Sequence, residues 1–281
     1  MNLLEISKPK PKPPMITLVA TPGVGKTTLA GLFPNPIFIQ AEYAGTVFES
    51  SDCAPDMFPV IPRPNARGGI SSQKAIMDQI THLGTTEHDY KTLVIDTCTT
   101  LNGLLEAEVT QNYGVDNVAD AAGGYHKGYL VVAQMHQRIV AACDRLREVK
   151  GIAVVFLAHC GIQKMKNRPD ADEYTVFTLD MHKESIQPYV NLVDAVLYMR
   201  NQEFVMGVKK DKKDNVTRSG KVSQTGQRQI VTCGDGQQGF INAKNRYGLP
   251  PVIDVELDEN PLLDLIPFFK KVSANETIQN S

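Results

Sequence analysis

Residues 15–28 read Met-Ile-Thr-Leu-Val-Ala-Thr-Pro-Gly-Val-Gly-Lys-Thr-Thr. The first six are a short β-rich run. A turn holding two glycines follows, and then a helical pattern over residues 26–33. A strand, a glycine turn and a helix that opens on Lys-Thr make the phosphate-loop pattern, here with Ala20 in place of the usual first glycine. Gly23 and Gly25 let the backbone curl so that its N–H groups face inward on phosphate oxygens. The helix adds its N-terminal donors and dipole. Lys26 is placed between the terminal phosphates, and Thr27 offers its hydroxyl to Mg2+. Thr21, Pro22, Gly23, Val24, Gly25, Lys26, Thr27 and Thr28 are therefore the candidate nucleotide-binding residues.

Outward from the loop, the chain alternates strands and helices. Strands are expected at residues 36–40, 92–96 and 152–158, the last as a continuous apolar run. Helices are expected at about 71–83, 98–113 and 126–149. Residues 51–70, rich in Pro, Gly and Asp, read as a long loop with room for a short strand at 58–61. Apolar strands between helices mark a parallel sheet buried on both faces. After residue 192 the pattern changes. Strand-like runs recur at 193–199, 203–208, 228–233 and 240–243 with no helix-length gaps, and read as antiparallel strands that extend the sheet. A helix at about 261–271 closes the body. The expected class is α/β: a P-loop NTPase core with a mostly parallel central sheet extended by C-terminal antiparallel strands. The expected divisions are a stub with a Pro/Lys linker (1–14), the main domain (15–271) and a polar tail (272–281).

Composition narrows the function. The 281 residues carry 29 Lys and Arg against 31 Asp and Glu, a formal charge of −2, which excludes a uniformly basic nucleic-acid binder. The 42% hydrophobic and 21% charged fractions exclude collagen-like and wholly disordered chains. Five cysteines, an odd number with no CxxC spacing, argue against a disulfide framework and a zinc ribbon, and fit a cytoplasmic protein with reduced thiols. No apolar run approaches the ~20 residues of a membrane helix. The N-terminus, with apolar residues before basic ones, does not read as a signal peptide.

Asp96 ends the strand run Leu93-Val94-Ile95, about 70 residues past the loop. An acid at the tip of a buried strand suits the support of Mg2+. The same residue also opens a good helix-capping sequence, Asp-Thr-Cys-Thr. No Asn/Thr-Lys-x-Asp guanine signature is present, which points to ATP rather than GTP. No arginine-rich lid of a nucleoside kinase follows.

Four segments, in order, resemble RecA-type recombinases. Ile37-Phe38-Ile39-Gln40-Ala41-Glu42 resembles their second core strand, which ends in the acid that polarises the attacking water. Thr92–Thr97 resembles their magnesium strand. Val154-Val155-Phe156-Leu157-Ala158-His159 resembles the next strand, which ends in a polar residue that senses the γ-phosphate. Ala243-Lys244-Asn245-Arg246-Tyr247-Gly248 resembles the segment whose basic residues reach the ATP of a neighbouring subunit. The resemblance covers about residues 15–250 and is nearest to compact phage RecA-like ATPases, often annealing or recombination proteins. It implies Glu42, Lys26 and His159 as catalytic residues. It also implies Lys244 and Arg246 as nucleotide-binding residues acting in trans, and a homo-oligomer, ring or filament, with ATP at its interfaces.

The resemblance further implies single-stranded DNA as a partner, with a single-strand-binding protein as a possible second one, in the host cytoplasm of a phage. Residues 160–184 hold Lys164, Lys166 and Arg168 in what reads as a DNA-binding loop. Residues 209–228 hold seven cations, Lys209, Lys210, Lys212 and Lys213 among them, against two acids, and read as a hairpin tip. Solvated polar loops are the plain alternative for both. Tyr113, Tyr125 and Tyr129 lie in a glycine-bearing stretch that suits a first DNA loop. Leu3, Leu4 and Ile6 suit a tag added to the next subunit's sheet edge. Two other functions use the same core: a ring-forming, helicase-like motor, and a nucleotide-gated DNA-binding protein with negligible hydrolysis.

Overall fold

The computed structural model describes residues 12–49, 54–65, 68–165, 173–207, 209–210, 216–218, 220–234 and 241–270. The elements in chain order are β1 (Met15–Ala20), α1 (Lys26–Gly31), β2 (Pro36–Gln40), β3 (Asp56–Met57), α2 (Ser72–Thr85), β4 (Thr92–Asp96), α3 (Cys98–Tyr113), α4 (Lys127–Lys150), β5 (Ala153–Met165) and β6 (Tyr174–Leu179). They continue with α5 (Lys183–Asn191), β7 (Ala195–Met206), β8 (Lys209–Lys210), β9 (Val216–Arg218), β10 (Lys221–Val231), β11 (Lys244–Asn245), β12 (Val252–Val255) and α6 (Leu262–Leu265). Among the described residues, ten strands form one sheet in the order β12-β10-β7-β1-β5-β4-β2-β3, with β6 on β5 and β11 on β7.

The α/β class and the mixed sheet agree with the sequence. β1, β5, β4, β2 and β3 are parallel, and their register aligns the C-terminal tips. Ala20 pairs with His159, and Gln40 with Asp96. Alternate residues of each strand feed two cores. Val19, Ile95, Val154 and Phe156 face α2, α3, α4 and α5. Leu18, Val94, Val155 and Leu157 face α1 and α6. Both faces are covered, which is why these strands read as unbroken apolar runs.

Several boundaries differ from the sequence expectation. The run at 193–199 is parallel to β1, not antiparallel, because α5 crosses over between β6 and β7. The runs at 193–199 and 203–208 are one strand, β7, through polar residues that β10 pairs on the other side. The 160–184 segment, which reads as a loop, holds the end of β5, the strand β6 and the start of α5. Helix α5 carries Pro188, a breaker by propensity, but Ile186 and Tyr189 are buried and tertiary packing prevails. In the 51–70 segment the ladder on β2 starts at Asp56–Met57, and Phe58 and Ile61 continue to donate to Phe38 O and Gln40 O. The closing helix breaks at Ile266 and resumes over 267–270. The end of the Pro/Lys linker packs on the body, where Arg147 donates to Pro13 O at 3.1 Å. Residues 1–11, which include the apolar stub, lie outside the described residues, as do Cys53 and the tail 271–281.

Candidate ATP site

The site is built on the tips of four parallel strands. β1 leads into residues 21–25, where Gly23 (φ +82°) and Gly25 (φ +99°) take conformations that L side chains rarely adopt. Lys26 and Thr27 then open α1. Thr27 Oγ1 donates to Asp96 Oδ2 at 2.7 Å. Lys26 Nζ lies 3.3 Å from His159 Nδ1, and His159 Nε2 lies 3.7 Å from Glu42 Oε1. Residues scattered over more than 130 positions of sequence thus meet around one point: Lys26 and Thr27 from the loop, Asp96 from β4, Glu42 from the residues after β2, and His159 from β5.

Neighbouring groups hold these side chains in place. Gln40 Nε2 donates to Phe58 O, and Gln40 Oε1 accepts from Ala44 N, so one buried amide spans the Glu42 turn. Ala41 N donates to Asp96 O at 2.7 Å. The Thr99 hydroxyl accepts from the His159 backbone N–H at 2.9 Å. Thr97 caps α3 through its side chain. Asp96 is therefore not the cap, and it is left to face Thr27.

Electrostatics follow from burial. Lys26 is 8% exposed, and desolvation lowers its pKa although Asp96 and Glu42 oppose the shift. Asp96 is 2% exposed, and desolvation raises its pKa against the pull of the Thr27 hydroxyl and Lys26. Desolvation and the Lys26 charge lower His159, with Glu42 and Asp96 opposing. A neutral His159 accepts at Nδ1 from the Lys26 ammonium and turns its Nε2–H toward Glu42.

The residues fit a nucleotide with Mg2+. A backbone cradle with glycine at both left-handed positions, a buried ammonium and a buried Asp–Thr pair match the donor set for a phosphate chain and its metal. Among the described residues no group of three or more His, Cys, Asp or Glu is placed to hold a metal ion, so phosphate and water would supply most ligands of a cation beside Thr27.

A family model described as an AAA domain matches residues 12–247. The chain belongs to that family. The AAA-domain match agrees with the fold and supports a nucleotide-binding, P-loop ATPase character for this chain. No curated protein matches the sequence. Among the described residues no helix is long and apolar enough to cross a membrane.

The structure separates the remaining candidates. Lys244 and Arg246 lie at the other end of the sheet. Lys244 pairs with Val196 of β7, and its Nζ donates to Val190 O and Asn191 O at the end of α5. Arg246 meets Asp194 at 3.3 Å, a carboxylate that also takes Arg147 at 2.8 Å. Neither reaches the phosphate loop of its own chain. Lys164 sits on β5 five residues beyond His159, in the hairpin that β5 forms with β6. Lys209 and Lys210 form β8, paired with β9 beyond the β7–β10 ribbon. Lys166, Arg168, Lys212 and Lys213 lie outside the described residues. Tyr125 is exposed, and Tyr129 stacks on His182 with ring centroids 3.9 Å apart.

Sequence reasoning did not single out Gln40 or Thr99, and it counted Arg228 only among the cations of the 209–228 segment, not at the phosphate loop. No motif marks the first two, which act through backbone contacts made only in the fold. Between the two ribbons, over Ala20 and Thr21, opens a cavity of about 160 Å³ walled by Phe177, Tyr198 and Met199.

Proposed function

We propose that this protein is a RecA-like ATPase that binds single-stranded DNA under nucleotide control and promotes annealing or recombination of the phage type. One observation carries the reading. β5 and β7, the two strands flanking the phosphate strand β1, both run past its tip into β-ribbons that bear or border the basic segments. His159 touches Lys26 and stands 3.7 Å from Glu42, and the same strand continues to Lys164. A change at the phosphates thus has a direct path along one strand into a candidate DNA-contacting hairpin.

ATP with Mg2+ supplies the transferable phosphoryl group and its charge-neutralising metal. The chain's residues do the rest. The 21–25 backbone and Lys26 hold and orient the phosphates. Thr27 and Asp96 support the metal. Glu42 orients a water and takes its proton at a carboxylate oxygen. His159 is placed to report the result to its hairpin. Lys244 and Arg246 are assigned to a neighbouring subunit's nucleotide in a ring or filament. Their distance from their own loop supports this, and each would exchange its present intrachain contact for the interface.

The test is ATP hydrolysis by the full chain with and without single-stranded DNA, with Lys26→Ala as blank. Stimulation that vanishes in the blank is expected. Replacing Lys209, Lys210, Lys212 and Lys213 by Gln should weaken DNA binding uniformly across sequences and lower the salt slope by roughly 3, at about 0.7 per single-strand contact. DNA bound without stimulation would favour the nucleotide-gated protein with negligible hydrolysis. No DNA binding at all would sink the DNA role.

A further inference from the structure

The second glycine of the phosphate loop has an unexpected neighbour. A Cβ built on Gly25 would stand 2.9 Å from Arg228 Nη1 and 4.0 Å from Met199 Cε. The guanidinium of Arg228 therefore lies directly against the loop backbone. It arrives from the flank opposite Glu42 and His159, because β7 and β10 lie on one side of β1 and β5, β4 and β2 on the other.

The register explains the approach. Met199 of β7 pairs with Ala20 at the tip of β1 and with Ile230 of β10. Arg228 pairs with Asn201, two residues further on. Two residues are about 7 Å along a strand, enough to lift Arg228 from the strand tip to the level of the loop. Ile230 packs in the same core as Val24 and Met199, and strand alternation puts Arg228 on that face too. The pairing of β10 with β7 shifts between Gln224 and Arg228, with Gly226 at φ +84° inside the irregularity. Bulges of this kind re-aim side chains. Arg228 Nη2 donates to Glu256 O at 2.8 Å, which fixes the fork while Nη1 faces Gly25.

We propose that Arg228 is a phosphate-binding residue for the nucleotide held by its own chain's loop. The proposal rests on the ATP reading of that loop. On the other flank the Lys26 ammonium faces the carboxylates of Asp96 and Glu42. Arg228 adds a second cation of the chain itself, beside the Mg2+ that the nucleotide would bring. A guanidinium stays charged at all working pH and presents planar donors suited to phosphate oxygens. Arg228 also stands at the foot of the β7–β10 ribbon, so phosphate binding there grips the ribbon from below.

The experiment is calorimetric titration of the full chain with ATP and, separately, with inorganic tripolyphosphate. Wild type, Lys26→Ala, Arg228→Ala and Arg228→Lys are compared, and a thermal melt of each without nucleotide checks folding. The expected result is a loss of about 10-fold or more in Arg228→Ala, the factor that a charge-assisted hydrogen bond supplies. The loss should be equal for ATP and tripolyphosphate and partly restored in Arg228→Lys. Unchanged affinity in a folded Arg228→Ala overturns the proposal. Tighter binding overturns it too, since the guanidinium would then be obstructing the cradle. A loss for ATP without one for tripolyphosphate also overturns it, by assigning the effect to the base or to loop shape. Wild type that binds neither ligand fails the nucleotide reading itself, and this proposal with it.

Discussion

On one side of β1 lie β5, β4 and β2, whose side chains at the sheet are almost all buried and apolar. On the other side lie β7 and β10, whose inner ends, residues 195–199 and 229–231, are equally buried but whose outer halves leave the sheet as a ribbon. Val222 is 62% exposed there, and Phe204 and Met206 also face solvent. The first flank is held by packing on two faces. The ribbon is held mainly by its own ladder, with Asn201, Glu203 and Gln224 bonded across it. The chemistry we propose for the ATP site needs sub-ångström placement and falls on the packed flank. The cations we propose for DNA contact border the end of the ribbon. A rigid site wants over-determined side chains, whereas phosphate contacts tolerate loose ones.

The sharpest way to break this contrast is at Glu42. Glu42→Gln keeps the shape and removes the base, so hydrolysis should fall by about 10²–10⁴-fold with ATP binding retained. A rate that survives would mean that the packed flank does not position the water, and steady-state hydrolysis with parallel ATP titration reads both quantities. Stability comes next. Phe156 is fully buried and meets Tyr189 at 5.0 Å, so Phe156→Ala should cost about 3–5 kcal/mol in chemical denaturation. Val222→Ala on the ribbon should stay within about 0.5 kcal/mol. Equal costs would erase the distinction between the flanks.

A pH effect from the packed side is smaller than the loss of Phe156 and is read over two pH units. His136 is buried between Tyr189 OH at 2.8 Å and Asn102 Oδ1 at 3.1 Å, and burial pushes its pKa down to about 3. The folded chain keeps it neutral, while the unfolded chain protonates it near pH 6.5. Its contribution is thus complete above pH 6.5 and is lost as pH falls toward 3, at about 1.4 kcal/mol per pH unit. Denaturation between pH 7 and 5 should show this slope, and His136→Gln should flatten it. His159 and His182, also lowered by burial, act in the same direction, so the slope should shrink rather than vanish.

Much of the parallel half was legible because local and global signals agree there. Met15–Ala20, Thr92–Asp96 and residues 152–158 are apolar runs of strand length, and the loop after the first has a motif with a mechanism. The second half was harder to read. Polar residues hid that the runs at 193–199 and 203–208 join into β7 and that β10 begins at Lys221, extensions whose stability comes from each other. Pro188 hid a helix that burial of Ile186 and Tyr189 sustains. The Val252–Val255 strand was hidden by Pro250 and Pro251, which suit an edge position that pairs on one side only.

The sequence by itself determined the phosphate loop, the tips of the parallel strands and the residue types gathered there, because each is encoded within a few neighbouring positions. Only the tertiary structure decided that His159 stands between Lys26 and Glu42, that Lys244 and Arg246 lie away from their own loop, and that Arg228 lies against Gly25. Those relations depend on strand order and register. Both are set by long-range pairing between segments that no local pattern connects.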